Sequence, residues 1–223
     1  MRSALDPAAL AALLVEPTLE TIYMTAASTF LASVLGFPLG AVLRATDADG
    51  VVPRPLLNMV LSRTVNLLRS FPFIILMILV FPLSRILVGT SIGTTAAIVP
   101  LSIAAAPFVA RVVESALKEV DPGVVLAARS MGSTPLQIVF KVLVPEALPA
   151  LVSGLALTVI NLIGYSAMAG AVGGGGLGDL AIRYGYQRFR TDVMVAAVAV
   201  IVVLVESVQF AGTAVSRRML AKR

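Results

Sequence analysis

Apolar and charged positions alternate along this chain on the scale of whole membrane spans rather than single helical turns. Thr21 to Leu43 is a run of 23 residues without a charge, and Ile86 to Ala110 is one of 25. Each exceeds the roughly 20 residues an α-helix needs to cross a hydrocarbon core of about 30 Å. Ser70 to Ser84 holds only 15. It becomes long enough when Leu56 to Ser62 extends it backward, with Arg63 and Arg69 snorkelling to the lipid headgroups. Ala147 to Gly178 is a stretch of 32, more than one span uses, and Val193 to Ser216 is interrupted only by Glu206. The pattern predicts an all-α integral membrane protein with five transmembrane helices.

Composition agrees and removes whole classes of chemistry. Of 223 residues 58% are hydrophobic and 13% charged, where a soluble domain carries about 25% charge; mean hydropathy is +0.98. With no histidine and no cysteine there is no Ser/His triad, no Cys nucleophile, no His/Cys metal site and no disulfide. The net charge of +5 sits at the edges of apolar runs and is not interleaved with aromatics, which reads as membrane anchoring rather than nucleic-acid binding. Twelve of the seventeen Lys and Arg fall on one side if the segment between the third and fourth crossings is cytoplasmic. That places the N-terminus outside and the C-terminus in the cytoplasm. Arg183, Arg188 and Arg190 form an external exception.

Arg2 and the apolar stretch Ala8 to Val15 invite a signal-peptide reading, but Asp6, Glu16 and the lack of a small-x-small cleavage site oppose it. Residues 1–17 are expected as a short surface helix, and 216–223 as a basic cytoplasmic tail. Gly36 with Gly40, and Gly89 with Gly93, have the small-xxx-small spacing that lets helices approach closely in lipid.

Arg111 to Pro149 stands out as a cytoplasmic segment of nearly forty residues among short connections. Asp121-Pro122 makes an N-cap and first-turn pair, Val124 to Met131 a helix, and Gly132 suits the left-handed position that ends it. Thr134-Pro135-Leu136-Gln137 then offers a capping box. Two short helices bent at Gly132 are expected. Such a knob could dock, through its bare Ala127, Ala128 and Gly132, into a groove on another protein; it could equally rest on lipid as an amphipathic pair.

Leu126-Ala127-Ala128, then Gly132, then Val142-Leu143-Val144-Pro145 resembles the EAA signature of bacterial ABC-type import permeases, with the family's spacing throughout. Leu126 stands where Glu is usual, and Val142 and Val144 where Ile and Leu are. Arg69 to Ile75, Val88 to Gly93, Ala105 to Arg111 and Gly164 to Gly173 are similar to the methionine-import branch of these permeases. The likeness covers roughly residues 18–215, read as an ABC transmembrane type-1 domain with a coupling loop at about 111–149.

The resemblance implies a homodimer driven by two cytoplasmic ATPase subunits and supplied by an external substrate-binding lipoprotein, with ATP and Mg bound by the ATPase. Ala127, Ala128, Arg129, Gly132 and Pro145 are its ATPase-coupling residues, and Glu119 or Arg129 could supply the polar interaction with the partner that Leu126 does not make. No G-x-x-x-x-G-K-[ST] run is present, so this chain is expected to be a transport subunit rather than an enzyme. Gly173 to Gly178 matches G-x-G-x-x-G as a string but has no preceding strand. It is expected as a helix-breaking external turn, either a plain loop or a gate. Thr158, Asn161, Tyr165 and Met168 fall at i, i+3, i+7 and i+10, a face that either lines the pathway or packs against neighbours. Glu206 reads as hydrogen-bonded structure rather than a proton relay. A permease for another amino acid or small polar solute, a gradient-driven carrier and a membrane anchor without transport activity are the alternatives.

Overall fold

The structure is a computed structural model that describes residues 6–221, and within them every element is helical. Arg2, Lys222, Arg223 and the outer ends of segments 1–17 and 216–223 lie outside the described residues. The order is α1 (Pro7–Thr46), α2 (Pro55–Ser70), α3 (Phe73–Val88), α4 (Thr94–Lys118), α5 (Pro122–Ser130), α6 (Pro135–Gln137), a π-helical turn (Ile138–Leu143), α7 (Val144–Gly170), α8 (Gly176–Leu180), a second π-helical turn (Ala181–Tyr186) and α9 (Thr191–Leu220).

Among the described residues four helical stretches are long and apolar enough to cross a membrane: Ala8–Thr46, Thr94–Lys118, Pro135–Gly170 and Thr191–Leu220. The pair α2 and α3 makes a fifth only as a broken span, bent by 101°. This corrects the unbroken second crossing expected from Leu56 to Ser84. The break has a local cause: Phe71 is extended (φ −69°, ψ 129°), because the ring of Pro72 disfavours helical backbone in the residue before it.

The apolar run at the N-terminus is also not a helix of its own. It is the start of α1, whose 40 residues span about 60 Å, roughly twice a hydrocarbon core. Glu16 and Glu20 end the apolar run without ending the helix, since glutamate is a good helix former. The third crossing begins at Thr94 instead of Ile86. Gly89, at φ 85°, closes α3 with its N–H on the Arg85 carbonyl, and Gly93 is at φ 104°. Those two glycines therefore make a turn, whereas Gly36 and Gly40 do serve close packing. A methyl on Gly36 would lie 2.5 Å from the Ala106 carbonyl oxygen, and one on Gly40 would strike Ala110 and Val113.

By their described residues the chain divides into two compact units, Met1–Phe30 with Pro72–Ala104 and Val159–Gln209, and Leu31–Phe71 with Ala105–Thr158 and Phe210–Arg223. The first has a core of Leu177, Leu180, Val193 and Ala197, against which Leu10, Leu13 and Leu14 pack. The second is centred on Leu43, Val65 and Ala110, with Leu39 and Leu61 against them.

Candidate functional site

The knob between α4 and α7 is assembled almost wholly by local hydrogen bonds. The Asp121 carboxylate accepts from the Gly123 N–H at 2.6 Å, and Pro122 occupies the first turn, where no N–H is needed. At the other end Gly132 adopts φ 80° and donates to the Arg129 carbonyl at 2.9 Å, while Ser133 donates to that of Ala128 at 3.1 Å. This pair of bonds is a Schellman closure, which satisfies the last carbonyls of the helix. Thr134 then opens the next helix with both halves of a capping box: its N–H donates to Gln137 Oε1 (2.9 Å), and its hydroxyl accepts from the Gln137 N–H (3.4 Å).

The second helix is not a stub. Through the π turn Ile138–Leu143 it continues into α7, so Pro135–Gly170 is one helical run of 36 residues. The widened turn ends at Leu143, two residues before Pro145, whose ring and missing N–H disturb a regular helix. Within the knob Ala128, Ile138, Val139 and Leu143 are buried. Ala127 is exposed, so of the alanine pair only Ala127 presents a bare surface; Ala128 faces inward. Leu126 (65% exposed), Met131 (79%) and Leu136 (71%) stand outward beside Ala127.

Arg129 turns back into its own chain, donating to the Gly50 carbonyl at 2.7 Å. Gly50 lies in the turn after α1, which several bonds hold. Arg44 donates to the Asp49 carbonyl (3.2 Å) and the Leu117 carbonyl (3.4 Å), and Asn58 donates to that of Leu43 (2.7 Å). Lys118 sits 2.8 Å from the Asp47 carboxylate and 3.2 Å from that of Glu114. Glu114 is buried and takes a 2.5 Å bond from Arg111, which also donates to Ser62 and Asn66 of α2. The hydrogen bond from Lys118 holds the Asp47 carboxyl below its usual range, against a smaller opposing effect of burial. Sequence reasoning missed this network because the links that join α1, α2, α4 and the knob run between residues tens of positions apart; the available signals were the acid-rich Asp47-Ala48-Asp49-Gly50 turn and the helical spacing of Arg111, Glu114 and Lys118. Glu119, by contrast, is exposed and lines a cleft of about 650 Å³ with Asp121, Glu146 and Ser153.

Of the candidate pathway residues, Asn161 and Met168 are exposed on α7. Tyr165 is half-buried and stacked on Phe73, ring centroids 4.6 Å apart. Thr158 is buried, its hydroxyl donating to the Gly154 carbonyl at 2.9 Å. The outward face of α7 runs instead through Leu157, Asn161, Gly164 and Met168, the spacing of a single helix face. Glu206 is exposed on α9. The Gly-rich turn is not a loose loop: the Gly176 N–H donates to Glu20 Oε2 at 2.6 Å, the Leu177 N–H to the Thr21 hydroxyl at 2.9 Å, and the Gly93 N–H to the Gly173 carbonyl at 2.9 Å.

Comparison with known proteins fits a membrane bundle that carries such a knob. The "Probable D-methionine transport system permease protein MetI" of Vibrio cholerae is 51% identical over 207 residues, 93% of this chain and 92% of that protein. The D-methionine transport system permease protein MetI of Escherichia coli is 51% identical over 158 residues, covering 71% and 73%. Among solved structures, an inward-facing form of the MetNI methionine ABC transporter superposes with a TM-score of 0.91 at 48% identity, covering 93% of this chain and 96% of its counterpart. The sequence pattern of the binding-protein-dependent transport system inner membrane component matches residues 32–221. The chain belongs to that family of ABC transporter permeases.

Proposed function

We propose that this chain is the permease subunit of an ATP-driven importer that moves methionine across the bacterial inner membrane by alternating access. The observation that carries it is the knob: a helix capped at both ends, closed by a left-handed glycine, with Leu126, Ala127, Met131 and Leu136 exposed on it. So much apolar surface, held rigid, suits docking against a partner. The names of the similar proteins supply methionine as the substrate.

In this reading two copies of the chain pair, each knob is seated on a cytoplasmic ATPase subunit that binds ATP and Mg, and an external lipoprotein delivers substrate. The N-terminus lies outside and the C-terminus in the cytoplasm. ATP binding draws the ATPase subunits together, the knobs move with them, and the paired bundles pass from inward-facing to outward-facing; hydrolysis resets them. Ala127, Gly132 and the exposed apolar residues meet the partner. Ala128 shapes the knob from within, Pro145 sits exposed at the base of α7, and Arg129 ties the knob to the turn after α1. Asn161, Tyr165 and Met168 of α7 line the pathway, with Thr158 supporting the helix behind them.

Reconstitution of the chain with its ATPase and lipoprotein in proteoliposomes tests this. Uptake of labelled methionine that needs ATP and both partners supports it. Uptake driven by a pH gradient alone, or none with all components present, overturns it.

A further inference from the structure

The segment between α8 and α9 holds two aromatic rings in the open. Phe189 is 86% exposed and Tyr186 71% exposed, and Phe189 is the one residue other than glycine at positive φ among the described residues (55°). A bulky side chain avoids that conformation unless its surroundings impose it. Here they do. The Gln187 N–H donates to the Ile182 carbonyl (2.9 Å) and the Arg190 N–H to the Tyr184 carbonyl (3.0 Å), while Arg190 grips Asp192 with two bonds of 2.9 and 2.6 Å. Gly185 lies against Met194 so closely that a methyl there would sit 2.6 Å from its Cβ. The segment is thus a built turn pressed onto the first turns of α9, and it aims Phe189 away from the chain.

Its charge and location point to one surroundings. Arg183 pairs with Asp179 and Arg190 with Asp192, so both acids are neutralised, while Arg188 lies over the Tyr184 ring at 4.5 Å and is exposed. Just beyond it opens α9, whose most apolar window has mean hydropathy 2.5 and is only 11% buried. Exposed aromatic rings with a cationic neighbour, at the mouth of an apolar span that its own chain leaves uncovered, match the headgroup boundary of a bilayer, where one part of a residue meets hydrocarbon and the other water.

We infer that Tyr186, Arg188 and Phe189 form an interfacial anchor that seats the start of α9 among lipid headgroups. The inference does not depend on the transport reading. The chain contains no tryptophan, so Phe189→Trp introduces a single reporter. In proteoliposomes its emission is expected to be blue-shifted, and to lose more intensity to lipids spin-labelled near the headgroup than to lipids labelled at the chain end. Ala48→Trp, in the exposed turn after α1, is the water-facing control and is expected to be red-shifted and unquenched by either lipid. Tyr186→Trp repeats the measurement should the first variant fold poorly. Emission from position 189 that matches the control, strongest quenching by the deep label, or a shift that appears only when the binding lipoprotein is added would each overturn the anchor; the last assigns the patch to a protein partner.

Discussion

Gly132 and Gly176 both stand at left-handed turns, and the two turns use the residue for different reasons. At Gly132 (φ 80°) a methyl would meet nothing within 4 Å; the glycine answers a demand of the backbone alone. At Gly176 (φ 78°) the same methyl would lie 2.7 Å from the Thr21 hydroxyl and 2.8 Å from Met24. There the glycine answers both a backbone demand and a steric one. A substitution is accordingly felt inside the fold at Gly176, and on the outward surface of the knob at Gly132.

Gly176→Ala should do the most damage, because it combines a left-handed penalty of about 1–2 kcal/mol with overpacking of about 1–3 kcal/mol. Thermal unfolding in detergent should drop accordingly, and equal stability would show that the turn is looser than its contacts imply. Glu20→Ala probes the same turn from its partner, because it leaves the Gly176 N–H without its acceptor, at a cost of about 1–3 kcal/mol. Gly132→Ala should cost only the conformational part, about 1–2 kcal/mol, with the bundle intact. If the knob is the coupling element, ATP-driven uptake should nevertheless fall while ATP hydrolysis by the complex continues. Unchanged uptake per ATP would erase the distinction between the two glycines.

Asn161→Leu is expected to lower uptake with assembly retained, measured in proteoliposomes. Smallest is the Asp47–Lys118 pair, part-exposed and worth at most about 1 kcal/mol. Since the folded Asp47 carboxyl is held below its ordinary value of about 3.9, its contribution is present above that value. It is lost as pH falls through the lower folded one, and a pH series on wild type against Asp47→Asn measures it.

What the sequence made legible was local. Asp121-Pro122, Gly132 and the Thr134–Gln137 box act within a few residues of themselves, and each was found where its chemistry predicted. The long uncharged runs likewise announce spans, because hydrocarbon thickness fixes their length. Phe71-Pro72 was a signal available but outweighed by run length, and it broke the second span. What stayed hidden depended on distant partners. Arg129 looks like a residue aimed at another protein until Gly50 appears beneath it. Glycines 173–176 look loose until Glu20, Thr21 and Gly93 are seen to hold their neighbourhood. Thr158 fell on a plausible helix face, but a three-residue step from Asn161 left it on the buried flank.

The π turn before Pro145 leaves the helix from Pro135 to Gly170 continuous, though that turn and Pro149 interrupt its regular ladder. If the knob is the coupling element, a push delivered at Leu136 enters the foot of a continuous pole of about 54 Å rather than a separate short helix. The single wide coil near its foot is the place where that pole can twist by a fraction of a turn without snapping its ladder of bonds.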